Sequence, residues 1–365
     1  MDNGGLWKSK GKKLILLLIG WGIFGVLMIF FIRELPEIYK TLRQARPSWL
    51  LAAVVIQVGT YWVGAYIFEN LLKFFGHHVP FKVLFRQSFM TSYLNQNIPS
   101  WGMAGIAFII FDMKKYNIPA AKSMTVGIMF YALTFFTFFL VLTASLVDLF
   151  FANQLTSIHV LASIFAFLFV VGISLFLVFT FFNRDKFKKI LSFILRPVDG
   201  IIKRFGARSQ NGESARSVLQ TEVLSHELQE TFRMLPRAGK YMWVATGWSL
   251  AAHLLDILSI YFLFLAFNFN ASLGIVVGGF VLASVFGFVS FIPSAVGVFE
   301  TSMSLVYTSL GIPFNVSVLV SLAFRSLAFW LPIPLGVWVY KHIFHSAPPG
   351  LAEFKTSNSS QERVQ

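Results

Sequence analysis

FVLASVFGFVSFIPSAVGVFETSMSLVY (residues 280–307) is apolar enough to sit in a bilayer, yet Pro293 and Gly297 interrupt it near its middle. Glu300 follows, a carboxylate among aliphatic and aromatic neighbours. A bilayer core is about 30 Å thick and takes about 20 apolar residues of continuous helix. The run before Pro293 approaches that length, and the run after it falls short. Irregular backbone at membrane depth persists only where protein buries it or a wet cavity receives it. A carboxylate at that depth is by default a functional-site hypothesis. The stretch therefore reads as a broken helix or re-entrant hairpin, about 273–311, in a protein that handles a polar cargo.

The surrounding composition agrees. The 365 residues are 56% hydrophobic and only 13% charged, which points to a polytopic membrane protein. Forty-three of them are Phe, which suits a lipid-facing surface and asks for no cofactor. The net charge of +14 does not call for nucleic acid, because basic residues in such a chain mark the cytoplasmic loops. There is no Cys, so disulfides, thiolate metal sites and thiol nucleophiles are excluded. The His77–His78 pair has no third ligand nearby, so no metal is expected either.

Basic flanks then order the spans. Leu14–Ile32 follows Lys8, Lys10, Lys12 and Lys13, and no small-residue cleavage site comes after it. It reads as a retained first span with a cytoplasmic N-terminus. A second span covers about 49–68. The next stretch, VLFRQSFMTSYLNQNIPSWGMAGIAFIIFD (83–112), is broken at Pro99, with Lys82 and Arg86 before it and Lys114 and Lys115 after. Both ends should be cytoplasmic, which makes it a hairpin that enters from the inside and returns. Spans at about 120–148 and 158–182 follow. Residues 183–240 form a polar loop with 12 Lys/Arg and 6 Asp/Glu, suited to amphipathic helices on the inner leaflet. A span at 241–267, the outer hairpin and a last span at 314–341 complete the chain. One segment resists this layout: 33–47 carries Arg33, Lys40, Arg43 and Arg46 yet falls outside.

The expected fold is an all-α polytopic membrane protein with about six spanning helices plus two re-entrant broken-helix hairpins in an inverted repeat. Its parts are an N-terminal membrane half (1–182), the basic loop (183–240), a C-terminal membrane half (241–342) and a polar tail (343–365). Both termini should lie on the cytoplasmic side of the cell membrane. PSWG at 99–102 echoes PSAVG at 293–297 at corresponding hairpin tips. Interrupted helices at matching places in two halves point to a transporter's central site.

The chemistry available inside is sparse. Each tip sets Pro before Ser and Gly: Pro99, Ser100 and Gly102, then Pro293, Ser294 and Gly297. Pro suits the first turn of a helix, whose free N–H groups and positive dipole end attract an anion such as phosphate. Arg325 lies deep in the last span, where a guanidinium must be paired or wet. Glu300 is its partner by depth, and a phosphate-bearing cargo is the other partner. These eight residues form the candidate substrate site. His253 and Asp256 share a face of one helix as a candidate relay or a local hydrogen-bonded pair. Glu69 and Asp112 fall at span ends and read as interfacial. No Walker loop, nucleophile elbow or HExxH helix is present, so no catalytic residue is nominated.

SFIPSAVGVFETS (290–302) followed by YTSLGIPFNVSVLVSLAFRSLAFWLPIPLG (307–336) resembles the C-terminal signature of the lysylphosphatidylglycerol synthase transmembrane, or flippase-like, family. LNQNIPSWGMAG (94–105), with an Ile-Pro segment after it, is similar to that family's N-terminal signature. The resemblance carries over to Pro99 and Gly102 in the first motif and to Pro293, Gly297, Glu300 and Arg325 in the second. Ser294 and Ala295 stand where relatives often have Gly-Gly. Ile109–Ile110 and Phe130–Tyr131 stand where many carry an Arg and an Arg–Asp pair. The resemblance implies a lipid-translocating membrane module, with a membrane phospholipid as its partner. Because Gln365 follows soon after the last span, the soluble aminoacyl-transferring domain of full-length synthases is expected to be absent. Two other functions remain open: a membrane transferase acting on lipid, and a non-catalytic scaffold that recruits a soluble enzyme through 183–240.

Overall fold

The computed structural model describes residues 43–97, 102–151, 221–289 and 297–330, with the single residues 164, 295, 332 and 336. The expected first span at 14–32, most of the 33–47 segment, the span at 158–182, the greater part of the basic loop, the end of the last span and the tail lie outside them. Pro99, Ser100, Pro293 and Ser294 lie outside them too.

Everything described is helix or short connection, with no strand among the described residues. The first run is α1 (Pro47–Phe74), α2 (Phe81–Asn97), α3 (Met103–Met113) and α4 (Ala120–Phe151). After it come α5 (Thr221–Met234), α6 (Gly239–Ala266), α7 (Leu273–Val289), α8 (Val298–Ser309) and α9 (Phe314–Arg325). A five-residue π-helical turn, Ser326–Trp330, extends α9. Pro332 has no N–H to give the carbonyl of Ala328 four residues back, so a regular α-turn cannot close there.

α1, α4 and α6 are long and apolar enough to cross a membrane, at 28, 32 and 28 residues. α2, α3, α7 and α8 are too short, at 17, 11, 17 and 12 residues. Their pairing is the one expected of two broken stretches, since α2 packs on α3 and α7 on α8. The boundaries agree with the sequence reading to within a few residues, except that the second span is longer at each end.

The two runs repeat each other. A 28-residue helix, a 17-residue half-helix, a half-helix of 11 or 12 residues and a further helix follow in the same order. Their turns repeat as well. Left-handed residues fall at Gly76 and Asn268, at Gly102 and Gly297, and at Asn117 and Gly311. After α1, Gly76 N–H donates to Lys73 O and His77 N–H to Leu72 O, both at 3.0 Å. After α6, Asn268 and Phe269 make the same two bonds to Leu265 and Phe264. This is the Schellman motif, which satisfies the last carbonyls of a helix and favours Gly or Asn at the left-handed position. Asn117-Ile118 and Gly311-Ile312 repeat it once more, ahead of Pro119 and Pro313. Reading the prolines alone missed this match, NIPAAKS (117–123) against GIPFNVS (311–317).

The long helices α1 and α6 run antiparallel along their whole length. Phe74 meets Tyr241 at one end, Tyr66 stacks on Trp248, and Trp49 meets Phe262 toward the other end. Arg46 N–H donates to Ala266 O at 2.8 Å. One core joins α6, α7, α8 and α9 around Phe264, Val281 and Tyr307. Tyr307 is fully buried and donates its hydroxyl to Val276 O at 3.1 Å, while Gly279 leaves room for its ring. A second core joins α1 to α3 and α4 around Phe68, Ile109 and Val126. α5 docks on α3 and α4 through Leu228, Ile110 and Met124.

Large apolar side chains also face outward. Leu51, Val55 and Trp62 on α1 are more than half exposed, whereas Gln57, Thr137 and Ser249 are buried. Large apolar surfaces of this kind are tolerable only against lipid or another protein.

Candidate functional site

α8 begins at Gly297, whose φ of +83° only glycine adopts without strain. Glu300 sits three residues on and turns back, accepting the Gly297 N–H at 2.7 Å. This is half of a capping box; glycine has no side chain to supply the other half. A carboxylate there also suits the positive end of the helix. The other oxygen of Glu300 lies 2.9 Å from Arg325 Nε, so one carboxylate joins the start of α8 to the end of α9. The two side chains are only 13% and 12% exposed. Arg325 is also held between aromatic faces, with its guanidinium carbon 4.5 Å from the Phe329 ring and 5.6 Å from the Phe299 ring. Glu300 and Arg325, paired by depth in the sequence, are thus brought into contact.

The first hairpin has the same backbone and different chemistry. Gly102 caps α3 with a φ of +86°. Three residues on stands Gly105, not a glutamate. Its N–H donates to Asn95 Oδ1 at 2.9 Å, reaching across from α2. Asn95 in turn donates to the Tyr131 hydroxyl. Tyr131 is the twelfth residue of α4, as Arg325 is of α9. A Cβ at Gly105 would press on the Tyr131 hydroxyl, Asn95 and Thr91. An uncharged Asn–Tyr lock therefore occupies the place that Glu300 and Arg325 take in the second run. Gly336, beyond Pro332, lies against the first hairpin and leaves room for the Tyr93 ring of α2.

His253 and Asp256 do not pair with each other. His253 Nε2 lies 3.0 Å from Thr134 O on α4, and Asp256 accepts from Gln57 Nε2 on α1 at 3.1 Å. His77 faces a cation, with Nε2 3.2 Å from Lys122 Nζ. Desolvation and the Lys122 charge hold that imidazole below its ordinary range.

Asp112 stands in the last turn of α3, the span end expected of it, and it is paired there. Its side chain is fully buried, both oxygens accept from Arg86 Nη2 at 3.1 and 2.9 Å, and Lys115 Nζ lies 3.2 Å away. The signal was in the sequence: Arg86 and Asp112 stand thirteen residues before and after Pro99, so a hairpin bent there sets them at one depth. Their ion pair fastens α2 to α3 at the open end of the hairpin.

Residues 14–336 match the family described as Lysylphosphatidylglycerol synthase TM region. The chain belongs to that family. It is accordingly an integral, multi-pass membrane protein. Two curated relatives share nearly their full length with it. A UPF0104 membrane protein of Methanothermobacter thermautotrophicus is 24% identical over 332 residues, 90% of this chain and 94% of the relative. Another UPF0104 membrane protein, of Methanocaldococcus jannaschii, is 22% identical over 326 residues, 89% of this chain and 93% of the relative. Within the lysylphosphatidylglycerol synthase transmembrane family, position 295 draws notice. Ala295 takes a left-handed φ of +50°, a conformation that favours glycine.

Proposed function

We propose that this chain translocates a phospholipid, or another phosphate-linked lipid, between the leaflets of the cell membrane. The observation that carries this reading is the Glu300–Arg325 pair, largely buried at a helix break in a membrane protein. A guanidinium binds a phosphodiester through parallel charge-assisted hydrogen bonds. Arg325 would exchange the Glu300 carboxylate for the lipid phosphate, with the Phe299 and Phe329 rings as apolar walls. Glu300 would keep the Gly297 N–H as a partner through that exchange, which lowers the cost of letting Arg325 go. First-turn N–H groups of α8 add a positive field at the same place.

In this reading the two broken stretches are re-entrant hairpins that enter from opposite faces. The antiparallel α1–α6 pair supports it, because two like units that run in opposite directions are what an inverted repeat requires. The termini and the 183–240 loop would be cytoplasmic, and a soluble enzyme would dock on that loop if one binds. Pro99, Ser100 and Gly102 would line the inner tip, and Pro293, Ser294 and Gly297 the outer one.

The test uses the purified chain in vesicles that contain a phospholipid with a fluorescent headgroup, quenched from outside. The wild type should expose inner-leaflet headgroups to the quencher. Arg325→Ala should slow this at least about tenfold, and Glu300→Gln, which keeps the cap, by less. Unchanged rates in both variants would remove the site assignment. A wild type that moves no lipid yet turns one over chemically would replace translocation with the transferase reading.

A further inference from the structure

Midway along the antiparallel α1–α6 pair, the two repeated units meet through a polar contact that the lipid site does not use. Gln57 Nε2 on α1 donates to Asp256 Oδ1 on α6 at 3.1 Å. Gln57 is 6% exposed, and its Oε1 is buried with no hydrogen-bond partner among the described residues. A buried amide oxygen without a donor is costly. So is a carboxylate within a membrane span that faces no cation. Among the described residues, the surroundings offer none. On α1 the neighbouring ionisable group is Tyr61, one turn from Gln57, and the Glu69–Lys73 pair lies three turns along and is bound to itself. On α6 itself, His253 is turned away to Thr134 O of α4. Facing residues Thr134 and Thr137 of α4 are neutral, and α7 carries no charged residue. The charge of Arg325 on α9 is taken by Glu300, and that of Arg86 on α2 by Asp112.

Both defects have one remedy. A proton on Asp256 removes the charge from the span and supplies the O–H donor that Gln57 Oε1 lacks. We propose that Asp256, oriented by Gln57, is a proton-binding site at the seam between the two units, and that its loading and release couple translocation to a proton gradient. The coupling half rests on the lipid-translocase reading; the proton-binding half does not. One proton is taken from water on one face and released to water on the other, and no bond in the lipid changes. The site crosses between units, so protonation alters the contact about which they would rock. A charged Asp256 has only the Gln57 Nε2–H bond to hold the seam, whereas a protonated carboxyl can also donate and so ties it more firmly.

Two readouts separate the halves. Infrared difference titration of the purified chain reports protonated carboxyl groups directly. The wild type should show a protonated-carboxyl band at neutral pH that is lost on raising the pH. Asp256→Asn should lack that band, while Glu300→Gln keeps it. The Asn variant places an amide N–H where the proton was, which favours folding. Absence of the band in wild type, or its persistence in Asp256→Asn, overturns the proton site whether or not lipid moves. A carboxylate that responds to sodium and not to protons overturns it too. In proteoliposomes that translocate lipid, an imposed pH gradient should change the wild-type rate several-fold and leave the Asp256→Asn rate insensitive. Wild-type translocation that ignores the gradient overturns the coupling and leaves the translocase reading standing. A wild type that moves no lipid overturns that reading, and the coupling with it.

Discussion

The two hairpins share a backbone and divide the chemistry. Each has a 17-residue arm, a left-handed glycine and a second arm of 11 or 12 residues. Each is followed by the same Schellman turn and Ile-Pro start. At the third residue past the glycine, one carries Gly105 and the other Glu300. At the twelfth residue of the next helix, one carries Tyr131 and the other Arg325. Turn geometry constrains which residues can sit at a left-handed position, so Gly and Asn stay. Side chains that reach across from the next helix are not constrained in this way and have diverged. Near its tip the first hairpin is tied by neutral hydrogen bonds, with its Arg86–Asp112 ion pair at the open end, whereas the second holds its charged pair, Glu300–Arg325, near the tip.

Several substitutions break or sharpen this contrast. Arg325→Ala leaves the Glu300 carboxylate without its cation and should destabilise the fold by about 3–5 kcal/mol. Thermal unfolding in detergent, followed by tryptophan fluorescence, measures it. The next largest effect is at Gly105, where alanine meets Tyr131, Asn95 and Thr91 and should cost about 1–3 kcal/mol by the same assay. Tyr131→Phe removes one neutral hydrogen bond to Asn95 and should cost about 1 kcal/mol. A loss there as large as that from Arg325→Ala would mean that the two sites are not divided into neutral and charged as described. Ala295→Gly relieves a left-handed alanine and should stabilise the second hairpin by about 1 kcal/mol. At the other end of the scale, Asn117→Gly only exchanges one residue suited to a left-handed turn for another, and the unfolding midpoint should be unchanged to within about 0.5 kcal/mol.

Much of this is legible in the sequence alone. Pro99 and Pro293 located both breaks, the apolar runs set the helix limits, and depth alone paired Glu300 with Arg325. These are local or one-dimensional signals, so a linear reading recovers them. The Asn95–Gly105–Tyr131 lock was not recovered, because three elements must come together before its members are neighbours. The partners of Asp112 were not named for a related reason. The hairpin must fold before Arg86 lies against it, with Lys115 beside the pair. His253 and Asp256 share a helix face three residues apart, yet the packing of α4 and α1 on either side gives each a different partner. The repeat itself was half seen. Its strongest trace, Asn117-Ile118-Pro119 against Gly311-Ile312-Pro313, lies in the turns and not in the apolar runs.

The central claim is that the two hairpins enter from opposite faces of the membrane. The chain has no Cys, so single cysteines can be introduced cleanly. Lys114 and Ser309 are exposed and end the matching second arms of the two hairpins. Lys114→Cys and Ser309→Cys would be labelled with a membrane-impermeant maleimide in vesicles of known orientation. The account predicts that Lys114→Cys reacts only from the cytoplasmic face and Ser309→Cys only from the opposite one. Labelling of both positions from the same face would contradict it.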